Sequence, residues 1–110
     1  MEVIKKGSKE SLIVPIKDRL SNITTLASVT GLVFDTKKKM DNSAAETGKS
    51  VVLDSDNPMW AICEIDATGS LYTAHDDDAG ETGEYKLYIR YTAGTEAPIL
   101  GPEFFRVEDD

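Results

Sequence analysis

The side chains best suited to chemistry in this sequence are acidic and lie mostly in its second half. Asp76, Asp77 and Asp78 are consecutive, and Asp54 and Asp56 lie earlier in the chain. Carboxylate oxygens are the hard ligands that calcium prefers. However, the spacing differs from that of an EF-hand loop, and three consecutive side chains do not converge easily on one ion. The sequence favours a solvated acidic loop, with a weak calcium site at the three consecutive aspartates as the alternative.

Groups that could serve in catalysis are scarce. Cys63 and His75 are the one cysteine and the one histidine of the chain, so an internal disulfide and a multi-cysteine zinc site are excluded. Cys63 lies in the apolar run 59–63, where a free thiol is normally a small buried hydrophobe. Glu64 and Asp66 would share one face of a strand, as paired catalytic carboxylates do, but acidic pairs beside a turn are common solubility features. With no GxxxxGK phosphate loop either, we predict no enzymatic activity and no cofactor.

Charge is distributed unevenly along the 110 residues, which carry a formal net charge of −8. Residues 1–53 have nine basic and six acidic side chains, whereas residues 54–110 have three basic and fourteen acidic ones. An acidic chain is a poor candidate for binding nucleic acid, which depends on clustered Lys and Arg. The basic run Lys37-Lys38-Lys39 could contact a complementary neighbour in an ordered assembly, or could be a solvated strand end.

Length and composition predict one domain over residues 1–110, with residues 1–8 and 108–110 as extended tails. Hydrophobic residues make up 40% of the chain and charged residues 29%, which is typical of a folded globular domain. No apolar run approaches the roughly 18 to 20 residues that cross a bilayer, and polar sequence follows the first residues where a signal peptide would have its apolar core. We therefore expect no association with a membrane.

Alternating apolar residues indicate short β-strands. The clearest strand is 85–92, in which Tyr85, Leu87, Ile89 and Tyr91 share one face, because this period of two does not fit a helix. We interpret residues 41–48 as a loop, with a short helical turn as the alternative. We expect the strand around Pro15 to lie at a sheet edge or to switch sheets, and residues 101–102 to mark a bend or bulge in the last strand. About seven strands with regular turns predict an all-β fold, a single antiparallel β-sandwich. The predicted core contains Phe34, Trp60, Tyr85, Leu87, Ile89 and Val107.

The other face of strand 85–92 is the best candidate for an interface. It carries Tyr88 and Arg90, two residue types that are enriched at interface hot spots. Together with the three lysines at 37–39, they form the predicted interaction surface. The alternative is that Tyr88 merely covers the sheet and that Arg90 pairs with a carboxylate on a neighbouring strand.

The segment Glu81-Thr82-Gly83-Glu84-Tyr85 resembles the tyrosine corner of immunoglobulin-like sandwiches. Leu87 stands where that pattern has a cysteine, so the chain resembles a disulfide-free member, in which Trp60 would be the core tryptophan. The strand order, with Asp18, the strand 26–34, the turn 65–69 and the terminal strand 105–107, resembles the N-terminal immunoglobulin-like domain of tailed-phage baseplate upper proteins and related small virion proteins. The resemblance covers about residues 8–108.

This resemblance implies a non-enzymatic structural protein of a tailed bacteriophage particle. It would be an adaptor, a decoration or a neck or tail accessory that docks onto other virion proteins in a symmetric, multi-copy assembly. Baseplate proteins continue into further domains, whereas this chain ends three residues after Val107, which favours an accessory role over receptor binding. The competing function is a calcium-dependent carbohydrate-binding or adhesion module that uses the acidic loops.

Overall fold

The computed structural model describes residues 2–17, 23–72 and 83–109. Within these ranges the chain forms strands and one short 3₁₀ helix at Leu26–Ser28, so the all-β prediction is confirmed. No helix in the described part is long and apolar enough to cross a membrane. The strands are β1 (Glu2–Lys5), β2 (Lys9–Pro15), β3 (Thr30–Lys38), β4 (Ala44–Ser50), β5 (Val52–Leu53), β6 (Trp60–Asp66), β7 (Gly83–Thr92) and β8 (Ile99–Glu108).

The strands form two sheets that pack face to face. The large sheet has the order β1-β8-β7-β3-β4, and the small sheet has the order β2-β6-β5. β1 pairs with β8 in parallel, whereas the other pairs of strands are antiparallel. The expectation of a purely antiparallel sandwich is therefore wrong at β1, which forms where an extended tail was expected and buries Ile4 in the core.

The core lies between the sheets. Every second side chain of β7 points inward and contributes to this core. Five of the six predicted core residues are buried, namely Phe34, Tyr85, Leu87, Ile89 and Val107. The ring of Tyr85 stacks on that of Phe105 at 5.4 Å between centroids and lies 5.0 Å from the ring of Tyr72. Such aromatic pairs add to the stability that burial alone supplies.

Trp60 is not a core residue, so the sixth of these predictions is wrong. In β6 the inward positions are Ala61, Cys63 and Ile65, all of them fully buried. Trp60 precedes this set by one residue and is therefore half-buried on the outer face of the small sheet. The phase of the strand decides which side chains point inward, and a shift of one residue moves a side chain to the other face.

The chain from 41 to 48 is not wholly a loop as predicted, because β4 begins at Ala44. Asp41 accepts hydrogen bonds from the backbone N–H and the hydroxyl of Ser43, at 3.0 and 2.7 Å, and fixes a turn after β3. β4 then pairs with β3, and one residue later β5 joins the other sheet by pairing with β6. On the opposite side of the small sheet, β2 is an edge strand, as the position of Pro15 predicts, because proline cannot donate a ladder hydrogen bond.

The irregularity expected in the last strand is also present. The register between β7 and β8 shifts between Leu87 and Ile89, opposite Gly101. Gly101 has a φ of 123°, and a Cβ on it would lie 2.7 Å from the carbonyl oxygen of Leu87. Only glycine fits this close approach.

Candidate functional site

The outer face of the large sheet, here called the basic face, brings most of the predicted interface residues together. Cross-strand register places Lys37 opposite Lys86, Asp35 opposite Tyr88 and Val33 opposite Arg90. Among the described residues, six cations and three carboxylates lie on this face together with five apolar or aromatic side chains. The cations are Lys5, Lys37, Lys39, Lys86, Arg90 and Arg106, the carboxylates Asp35, Glu84 and Glu108, and the remaining five Val3, Val33, Tyr88, Ile99 and Phe104.

Two lysines of the basic face are held over aromatic rings. The Lys37 ammonium lies 5.7 Å from the centre of the Tyr88 ring, and the Lys39 ammonium lies 5.7 Å from that of Phe104. Lys39 also forms an ion pair with Glu84 at 2.7 Å. These contacts fix long side chains above an otherwise exposed aromatic surface. Phe104 belongs to this surface because it pairs with Lys86 across the strands.

Arg90 forms the best-defined ion pair of the basic face. Its Nε and Nη2 donate to the two carboxylate oxygens of Asp35 at 2.7 and 3.3 Å, and the backbone N–H of Gly48 donates to the same carboxylate at 2.7 Å. Burial raises the pKa of the Asp35 carboxyl, but these hydrogen bonds outweigh burial and hold that pKa below its usual value. Arg90 therefore pairs with a carboxylate on the neighbouring strand, as the alternative interpretation predicts.

Lys38 does not belong to the basic face. It lies opposite Tyr85 in the register between β3 and β7, which is the phase that faces the core, and it is half-buried. Its backbone supports the turn instead, because its N–H donates to the carbonyl of Ser43 and its carbonyl accepts from Asn42. The basic face therefore includes Lys37, Lys39, Tyr88 and Arg90 but does not include Lys38.

The outer face of the small sheet, here called the apolar face, was not predicted. Ile13 and Val52 flank Ile62 in register, and Pro15 lies opposite Trp60, so these five residues define the face. The sequence nevertheless contained evidence for this face in the run Met59 to Cys63. This run is apolar in both strand phases, and such a strand has two apolar faces. Ile13 is 53% exposed and Val52 is 56% exposed.

A third group of side chains forms a buried polar link between the sheets. The Glu46 side chain is only 2% exposed, and its carboxylate accepts from the backbone N–H of Asp66 in the other sheet at 3.2 Å. The Thr36 hydroxyl accepts from the Glu46 N–H at 3.0 Å and lies 2.5 Å from the Tyr72 hydroxyl. Burial raises the pKa of Tyr72 far above its usual value, so this phenol stays protonated. We assign the cluster a structural role.

Among the described residues, those considered for chemistry do not assemble into one site. Burial raises the pKa of the Cys63 thiol to about 12, which removes it as a nucleophile. The Asp66 carboxylate accepts two hydrogen bonds from Thr68 in its own turn, and Glu64 is exposed beside it. In the described part of the chain, no group of three or more Cys, His, Asp or Glu residues could hold a metal. The calcium prediction at Asp76, Asp77 and Asp78, like His75, lies outside the described residues.

The chain matches no known family model, no curated protein and no solved structure.

Proposed function

We propose that this chain is a non-enzymatic protein-interaction module, and that it serves as an accessory structural protein of a tailed-phage particle. The observation that carries the interaction part is the basic face, on which the rings of Tyr88 and Phe104 lie beneath fixed lysines. The phage part depends on the sequence resemblance over about residues 8–108. In this proposal the module is an adaptor, a decoration or a neck or tail component of the virion, and it is present in several copies.

The strand order supports an immunoglobulin-like assignment of the sandwich. The run β8-β7-β3-β4 corresponds to strands G, F, C and C′ of variable-type immunoglobulin domains, and β2-β6-β5 corresponds to B, E and D. Tyr85 near the start of β7 then occupies the position of the tyrosine corner. The half-buried Trp60 lies on the strand equivalent to E rather than C, so it does not take the role of the conserved tryptophan.

The size of the basic face suits a specific interface. The large sheet has five strands, and β7 and β8 are ten residues long. β3, β4 and β1 are shorter, with nine, seven and four residues. With strands about 4.8 Å apart and a rise of about 3.3 Å per residue, the face covers about 630 Å². Specific protein interfaces bury about 800 Å² on each partner. This one face could therefore supply most of the area of a specific interface.

The charge of the basic face defines the chemistry of its partner. Six cations and three carboxylates lie on it, in a chain whose net charge is −8. An acidic protein surface would be attracted to this face and would pair with its lysines and arginines. Because Lys37, Lys39 and Arg90 are already held by contacts within the chain, less side-chain entropy is lost when the partner binds.

Binding to phage particles tests this proposal. The variant Tyr88→Ala/Phe104→Ala removes both rings but keeps the Asp35–Arg90 ion pair, and Leu71→Ala is the control because Leu71 is exposed outside both sheet faces. We expect the wild-type chain and the control to sediment with purified particles, and the double variant to lose about nine-tenths of its occupancy. High salt should also release the wild-type chain, since exposed charges are screened.

The two parts of the proposal fail separately in this experiment. If the wild-type chain never sediments with particles, the phage assignment is wrong. If the wild-type chain sediments and the double variant keeps normal occupancy, the basic face is not the docking surface.

A further inference from the structure

A cavity of about 180 Å³ opens between the two sheets, on the side where β2 and β8 face each other. Its wall contains aliphatic side chains from both sides of the core, namely the buried Val14, Ile16, Leu87 and Ile89 and the half-buried Leu100. Protein interiors are close-packed, and voids larger than a water molecule are few. A wall of this kind offers water few hydrogen bonds, and a cavity of about 150 Å³ with such a wall takes benzene. The cavity is therefore suited to an apolar group about the size of one side chain.

The free edge of β2 lies beside this cavity. β2 pairs with β6 on one side and has no neighbour on the other among the described strands. The N–H of Ile16 donates to the carbonyl of Met59 at 2.8 Å, which continues the register of β2 with β6. In an antiparallel pair such bonds recur at every second residue. The N–H and C=O groups of Ser11 and Ile13, and the C=O of Pro15, therefore point away from β6.

The edge of β8 across the cavity is less suited to pairing. β1 covers this edge only from Phe105 to Glu108. The uncovered part contains the register shift near Gly101, and it contains Pro102, which has no N–H to donate. A strand that entered here would therefore pair with β2 and would contact β8 through side chains alone.

We infer that an extended segment of another protein adds to β2 as a further strand and inserts an apolar side chain into the cavity. Another extended chain carries N–H and C=O groups at the spacing of those on the free edge, and strand addition gains its affinity from this match. In an antiparallel arrangement, the partner residues opposite Val14 and Ile16 point between the sheets. At least one of these two positions must hold a side chain such as leucine or phenylalanine, which the cavity can enclose.

The charges along β2 define the outward side chains of this segment. The outward phase from residue 9 to residue 17 carries Lys9 and Lys17 but no carboxylate. Opposite charges on neighbouring strands attract one another and like charges repel. The segment therefore carries acidic side chains where it passes the two lysines. Because β2 belongs to the small sheet, this site is separate from the basic face and does not depend on it.

Selection from a library of short random peptides displayed on yeast tests the site, with the wild-type chain as bait. We expect the enriched peptides to have apolar residues at alternate positions, and fluorescence polarisation measures the affinity of synthetic copies. Leu100→Phe fills the cavity and Ile13→Pro removes an edge N–H, and each should weaken binding at least about tenfold. The matched controls are Leu100→Met, which conserves the volume, and Ile13→Thr, which keeps the N–H. Both controls should bind like the wild type.

The inference is wrong if no peptide is enriched, or if Leu100→Phe or Ile13→Pro binds the enriched peptides as tightly as its control. If toluene raises the melting temperature but no peptide binds, the cavity takes a small apolar molecule and the strand is likewise excluded. Thermal melting checks that each variant is folded. Should Leu100→Phe fail to fold, Val14→Ile replaces it, because the added methyl group also narrows the cavity. Ser11→Pro replaces Ile13→Pro in the same way, and each replacement must weaken binding for the inference to stand. Any of these failures leaves the particle-binding result for the basic face unaffected.

Discussion

The basic face and the apolar face cover the same core, yet their chemistry is opposite. On the basic face, the aromatic rings of Tyr88 and Phe104 lie under ammonium groups, and Arg90 is fixed by Asp35. On the apolar face, aliphatic side chains are exposed with no charge in their row. The inward phase of each strand determines the fold, while the outward phase is free to vary. Differences between the two outward phases therefore carry the functional information.

The largest expected effect tests the core that both faces share. Phe105→Ala removes a fully buried ring that stacks on Tyr85, and it should lower the free energy of unfolding by about 3 to 5 kcal/mol. Trp60→Ala removes a half-buried ring from the apolar face and should cost less than half as much. Urea denaturation followed by far-UV circular dichroism measures both. Equal losses would show that Trp60 is a core residue.

An intermediate effect tests the ion pair of the basic face through its pH dependence. Because the pKa of Asp35 in the folded chain is below its ordinary value of 3.8, its carboxylate contributes stability above about pH 4. That contribution is lost as the pH falls through the lower folded pKa. Asp35→Asn should cost about 0.5 to 1 kcal/mol at neutral pH, since Arg90 is 44% exposed. The melting temperature of the variant should also fall less than that of the wild type as the pH is lowered below about 4. An equal fall in both proteins would contradict this account.

The smallest effect tests whether the apolar face stabilises the isolated chain. Ile13→Thr and Val52→Thr keep the β-branched shape and the strand propensity while making the face polar. Each should change the free energy of unfolding by no more than about 0.5 kcal/mol, as is usual for surface positions. Chemical denaturation of each variant beside the wild type provides the measurement. A loss well above that value would mean that these side chains pack within the chain.

The sequence predicts strand phase only where the two phases differ in polarity. In β7 the contrast between Leu87 and Ile89 on one side and Lys86 and Arg90 on the other identifies the inner face directly. In β6 Trp60 and Ile62 alternate with Ala61 and Cys63, so both phases are apolar and the pattern cannot tell inside from outside. Assigning the tryptophan to the core by its residue type alone gave the wrong answer.

Features that depend on distant partners could not be predicted from local sequence. β4 is rich in small and polar residues, and it is a strand because it pairs with β3. The partner of Arg90 lies 55 positions away at Asp35, and nothing in the spacing of the two residues indicates their contact. The sequence thus predicted Tyr88 and Arg90 on β7 as candidate interface residues. The contacts that hold these two side chains come from the pairing of β7 with β3.

The parallel pairing of β1 with β8 has a mechanical consequence. Glu2 lies beside Phe105 and Lys5 beside Glu108, so the first and last strands run in the same direction. Tension applied to the two ends of the chain in opposite directions would slide β1 along β8. Because this force runs along both strands, it would load the hydrogen bonds between them together instead of breaking them one at a time. The short first strand therefore acts as a clamp that resists stretching of the domain.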